Sequence, residues 1–92
     1  MPEIIIDNDA LTYIKNHGIA IHLGSFKLGC NFQARPTVNV GKPEFPANFE
    51  IINVNGIDVY LSKNLLQKNP SERFIISLES DTRLLVTGDN KH

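Results

Sequence analysis

At 92 residues with 41% apolar content and a net charge of −1, the chain is sized for a single domain, residues 1–92, built on one hydrophobic core. The near-neutral balance, with Lys and Arg scattered singly, offers no basic face for nucleic acid, and no apolar run approaches the ~18 residues of a membrane-spanning helix. A lone cysteine excludes an intrachain disulfide and suits a reduced, cytoplasmic setting, as does an opening, MPEIIIDNDA, without the basic start of a secretory signal.

Ile4-Ile5-Ile6 is a short β-branched run that reads as a strand, and Asp7-Asn8-Asp9 after it supplies N-cap candidates for a helix. Ala10, Leu11 and Ile14 then share one helical face, with Thr12, Lys15 and Asn16 on the other. Gly18 is placed to end that helix with a positive φ, and Lys15 and His17 suit the negative end of its dipole. From there the period becomes two: Ile19, Ile21 and Leu23 are expected on a buried face of a strand, Ala20 and His22 on the opposite face.

Residues 24–35 hold two glycines, no sustained period and the cysteine, Cys30, and read as a loop. Pro36 to Val40 reads as a second short strand, with proline tolerated at its first position. Residues 41–48 carry a glycine and two prolines, which break any ladder. The strongest local signal follows: FEIINV, then Asn55-Gly56, then IDVYL, a hairpin whose two turn positions both require positive φ.

Ser62 can begin a brief helical turn through Leu65 and Leu66, ended by Pro70. Phe74 to Leu78 and Leu84 to Val86 read as two more strands around the polar link 79–83, and residues 86–92 as a flexible tail. The order predicts an α+β domain, mainly β, with a short N-terminal helix and mixed or antiparallel strands.

The run GIAIHLGSFKLGC resembles the opening of the HesB-like domain of A-type iron–sulfur carrier proteins, in which a strand ending near a glycine is followed by Gly-Cys. IIIDNDALTYIKNHG is similar to that family's leading strand and helix, and the likeness continues through the hairpin and the last strands. DNDALTYIKNHG, PTVNVGKPEFP and VNGIDVYLSKNL resemble more closely a short bacterial branch, the CC/Se motif family, which carries a Cys-Cys or Cys-selenocysteine pair in this loop. Aligned to it, Cys30 matches the second member of the pair and Gly29 the first. The carriers' Ser-Gly step after the first cysteine is replaced by Asn31-Phe32, and TRLLVTGDNKH lacks their two C-terminal cysteines. The resemblance implies a HesB-like fold, an oligomer, and iron or an iron–sulfur cluster as the bound group.

Cluster iron is normally held by four thiolates, or by mixtures with histidine. One thiol per chain cannot do this, so Cys30 could serve as cofactor and metal ligand only in a homodimer, with His22 or His17 or an external thiol completing the set. Two other roles for Cys30 stay open. It is a reactive thiol if Lys27 and Arg35 lower its pKa, working with an iron–sulfur or thiol-exchange protein partner, or it is a small buried hydrophobe in a structural module that has lost its ligands.

His22 falls on the polar side of its strand, where a surface imidazole is the simplest reading. No H-x-x-H or C-x-x-C spacing marks a zinc site, and Cys30, His22 and Asp58 lack the motif of a nucleophilic enzyme. No catalytic residues and no enzymatic activity are therefore expected.

Overall fold

A computed structural model describes residues 3–26, 35–68 and 73–89. Strand β1 (Glu3–Ile6) leads into helix α1 (Asn8–Asn16), followed by β2 (Ala20–Phe26), β3 (Arg35–Val40), β4 (Phe49–Val54), β5 (Ile57–Ser62), helix α2 (Lys63–Lys68), β6 (Arg73–Ser80) and β7 (Arg83–Asp89), with a 3-10 turn at Pro46–Asn48. The class is α+β and mainly β. The strands form a three-stranded sheet in the order β1-β6-β7 and a four-stranded sheet in the order β3-β2-β5-β4. Both are mixed: β1 runs parallel to β6 and β2 parallel to β5, and the remaining pairs are antiparallel.

Helix α1 begins where Asp7 adopts extended backbone at the N-cap, as the Asp-Asn-Asp run suggests, but its carboxylate makes no capping bond. The joint is held through the backbone instead, with Asp7 N donating to Ile76 O at 2.9 Å. Ala10 and Ile14 are the residues it buries completely. At its far end Gly18 has φ +126, and His17 N and Ile19 N both donate to Ile14 O, at 3.0 and 3.1 Å. A backbone that turns this sharply gives the Ile14 carbonyl two donors without a further helical residue.

The turn consumes one residue more than the period-two pattern implies. Ile19 is itself at φ 54 and 55% exposed, so it belongs to the helix exit, and β2 starts at Ala20. Ala20, expected on the polar face, is buried along with Ile21 and Leu23, at the start of β2 where Gly41 N donates to its carbonyl. The strand also runs further than expected, to Phe26, so Gly24 lies in a ladder opposite Thr37. The expected loop from 24 is correspondingly shorter.

Asn55 and Gly56 have φ 53 and 84, the two positive values of the hairpin turn expected from the Asn-Gly pair. The alternation of β5 puts Ile57, Val59 and Leu61 fully inside. They join Ile21 and Leu23 of β2, Leu65 of α2, Ile14 of α1, and Phe74 and Ile76 of β6 in one apolar cluster, closed by Ile6, Leu84 and Val86. The core thus lies between the two sheets and is sealed by one face of each helix. Each fully buried side chain of this size contributes about 1.5–3 kcal/mol by leaving water.

The C-terminal hairpin is longer than the sequence pattern indicates. Its link tightens to Asp81 and Thr82, with a register shift between Leu78 and Ser80 and pairing that extends to Arg73↔Asp89. Residues 86–89, expected to start a flexible tail, are instead ladder-paired, and Val86 is buried. The polarity of this segment suggests a tail, yet backbone pairing to β6 is indifferent to side-chain polarity on the exposed face.

Candidate functional site

The antiparallel pairing of β2 with β3 runs through to Phe26↔Arg35. Residues 27–34 therefore connect two strand ends that are direct partners. Cys30, with its neighbours Lys27, Gly29, Asn31 and Phe32, belongs to that connection and lies outside the described residues. What the fold supplies is the anchorage on either side.

His22 sits within this anchorage. Register places it opposite Asn39 on β3 and Tyr60 on β5, and Tyr60 opposite Ile51 on β4, so Asn39, His22, Tyr60 and Ile51 form a row across all four strands, on the sheet face away from Ile21 and Leu23. The His22 imidazole is half-buried. Its Nδ1 lies 2.9 Å from Gly41 O, and its ring meets Phe49 edge to face with centroids 6.3 Å apart.

A carbonyl only accepts, so Nδ1 carries the proton and donates, and in the neutral ring the lone pair falls on Nε2. An imidazole fixed this way by a backbone carbonyl has the orientation that metal-ligating histidines commonly show. Here the bond also does structural work, because it ties the beginning of the 41–48 connection to the sheet alongside Gly41 N, which donates to Ala20 O at 2.7 Å.

The other candidates take local roles. His17 closes α1: its Nδ1 donates to Tyr13 O at 2.7 Å and its ring stacks on Tyr13 at 4.1 Å, on a different element from His22. Asp58, opposite Ala20, accepts from Asn53 Nδ2 at 3.2 Å. Among the described residues no three His, Cys, Asp or Glu side chains come together as a metal site.

Sequence reasoning missed a groove of about 570 Å³ lined by β3 and β7, with Tyr13 of α1 and residues of the β6–β7 turn at its border. Tyr13 Oη donates to Thr82 O there at 3.2 Å. The groove arises because the edge strands of the two sheets lie side by side without joining into one ladder. No local motif announces such a seam, which depends on how the sheets close around the core.

Residues 2–84 match the family model of the CC/Se motif containing family. The chain belongs to the CC/Se motif family. No curated protein and no solved structure matches it. The match spans every element through the start of β7, including the β2–β3 connection. This CC/Se family chain has a single cysteine, so a Cys-Cys pair is absent from it and any thiol chemistry of the chain rests on Cys30.

Proposed function

We propose that the protein is a non-enzymatic domain of HesB-like fold, acting in a reduced, cytoplasmic setting. Its working group is the Cys30 thiol, used as a ligand for iron or a labile iron–sulfur cluster shared between two copies. The observation that carries the reading is the position of the one thiol, on a connection whose two ends are paired strand neighbours. The β2–β3 ladder holds the strand ends on either side of that connection.

One thiolate is too few for a cluster, so sharing between chains is part of the reading. His22 is the second ligand candidate: its Nδ1–H is committed to Gly41 O, leaving Nε2 as the coordinating atom.

Family membership favours a second reading. In a CC/Se chain with one thiol, the Cys30 thiolate can attack a partner protein's disulfide, forming a mixed disulfide as one partner thiolate leaves, or take the outer sulfur of a partner's persulfide, releasing the partner's thiolate.

Anaerobic purification of wild type and Cys30→Ala, with iron, zinc and acid-labile sulfide analysis and an absorption spectrum before and after reconstitution, tests the first reading. Stoichiometric iron and colour in wild type, lost in Cys30→Ala and reduced in His22→Ala, is the expected result. Metal-free, colourless protein after reconstitution overturns it. The thiol reading is then judged by the pH dependence of Cys30 alkylation, which must show a thiol pKa below the ordinary cysteine value of ~8.5.

A further inference from the structure

Four strands border the two sheets, and three of them are protected. Strand β1 has only four residues. Strand β3 contains Pro36, which has no N–H, and lies alongside β7, so each of these two edges shields the other. Among the described residues, strand β4 borders β5 alone. Of the usual devices that keep an edge from pairing, it has no proline, lysine or arginine and no register shift against β5, and it carries one charged side chain, Glu50. Its sequence FEIINV is rich in strand-forming residues, and Ile51 in its middle is 58% exposed.

The hairpin fixes which backbone groups of β4 face outward. Across a two-residue turn the closing pair, Val54 and Ile57, exchanges both ladder bonds. Bonded and non-bonded pairs alternate, so Ile52–Val59 and Glu50–Leu61 are also bonded, and the N–H and C=O groups of Phe49, Ile51 and Asn53 point away from β5. We infer that this edge pairs antiparallel with β4 of a second copy of the chain, about a two-fold axis through Ile51.

That register satisfies the outward groups from the same strand of the partner copy, with Ile51 opposite Ile51 and Phe49 opposite Asn53. Glu50, the one charged residue of β4, meets Ile52 and not a second carboxylate. A net charge of −1 per chain adds little repulsion between copies. The strand matches itself in this register, so the contact is isologous and closes as a two-fold dimer. The contact doubles the four-stranded sheet. It rests on a strand of six residues, at the small end of specific interfaces, so the dimer is concentration-dependent.

This contact is independent of the Cys30 reading. Antiparallel pairing about Ile51 sets the two copies of β2 running in opposite directions, with Phe26, where each chain leaves β2, at opposite ends of the doubled sheet. A shared thiol site therefore uses a different contact, and Cys30→Ala leaves the β4 pairing intact.

The test is sedimentation velocity of the full chain from low micromolar to millimolar concentration. It compares wild type, Ile51→Lys, and Leu85→Lys as an exposed-residue control on β7, with circular dichroism to confirm that each is folded. The expected result is a monomer–dimer equilibrium in wild type and Leu85→Lys that shifts to monomer in Ile51→Lys. Amide exchange at Phe49, Ile51 and Asn53 should slow as wild type is concentrated. Wild type that stays monomeric at the top concentration overturns the inference and leaves the edge to a strand of another protein. A dimer unchanged by Ile51→Lys overturns it as well.

Discussion

The His22 Nδ1–H donates to the Gly41 carbonyl at 2.9 Å, joining β2 to the far end of β3 from the outer face of the sheet. The bond makes one imidazole both a strap for the 41–48 connection and a ring with a defined tautomer. Its removal leaves a half-buried carbonyl short of a partner and strips a contact from Phe49. His22→Ala should therefore lower the unfolding free energy by about 1–2 kcal/mol. His22→Asn, whose amide donor can stand near the Nδ1 position, should recover part of that loss. Urea unfolding of the three proteins decides it, and a change within about 0.5 kcal/mol, the range of an ordinary surface substitution, would show that the bond contributes nothing.

Ile19 is a β-branched residue in the left-handed region, at φ 54, and more than half exposed. Left-handed backbone costs an L-residue about 1–2 kcal/mol, and exposure means that the side chain returns little by burial. Asparagine tolerates this backbone better than any β-branched residue. Ile19→Asn should raise stability by about 1 kcal/mol, read as a higher urea midpoint at unchanged m-value. A lower midpoint would mean that the isoleucine makes contacts worth more than its strain.

Much of this architecture is legible in the chain because local chemistry and tertiary environment agree. Asn55-Gly56 demands a tight hairpin whatever surrounds it, and Ile57, Val59 and Leu61 of β5 alternate toward the core, while Tyr60 between them is buried on the opposite face. Reading fails where the deciding force is non-local. Ala20 looks polar-facing by alternation, but it is buried where the 41–48 connection begins beside it. The β3–β7 groove depends on how two separate sheets meet. His22 is readable as a candidate ligand by type and position, whereas its bond to Gly41 requires the 41–48 connection to fold back, which no period in that segment announces. Cys30 is identifiable only as the one thiol of the chain, between two strands.

The hairpin turn offers a separable test of backbone strain against side-chain contact. Asn55 is exposed and at φ 53, and Gly56 is at φ 84 with open space where a Cβ would stand. Gly56→Ala should then cost about 1 kcal/mol or somewhat more from backbone conformation alone, since nothing would clash. Asn55→Gly should be within about 0.5 kcal/mol of wild type, because glycine accepts the same φ. Thermal unfolding of both variants checks this. An Asn55→Gly protein as damaged as Gly56→Ala would point to a role for the Asn55 side chain beyond its φ.

The last strand is the sharpest test of where the folded chain ends. Phe74, fully buried at the middle of the β1-β6-β7 sheet, is opposite Ile4 on one side and Gly88 on the other, so the segment that looks like a tail covers one flank of a core strand. Truncation after Leu85 removes the Val86 side chain from the core and the β7 pairs of Arg73, Phe74, Ile75 and Ile76. Loss of the buried valine and of a flank of the phenylalanine should together cost at least about 3 kcal/mol. That is a large share of the 5 to 14 kcal/mol or so expected for a domain of this length. Truncation after Asp89 keeps every β6–β7 pair and should leave stability within about 0.5 kcal/mol of wild type. Equilibrium unfolding of the two truncated chains separates the outcomes: equal stability would mean that residues 86–89 add nothing to the sheet, and β7 would then end, in energetic terms, at Leu85.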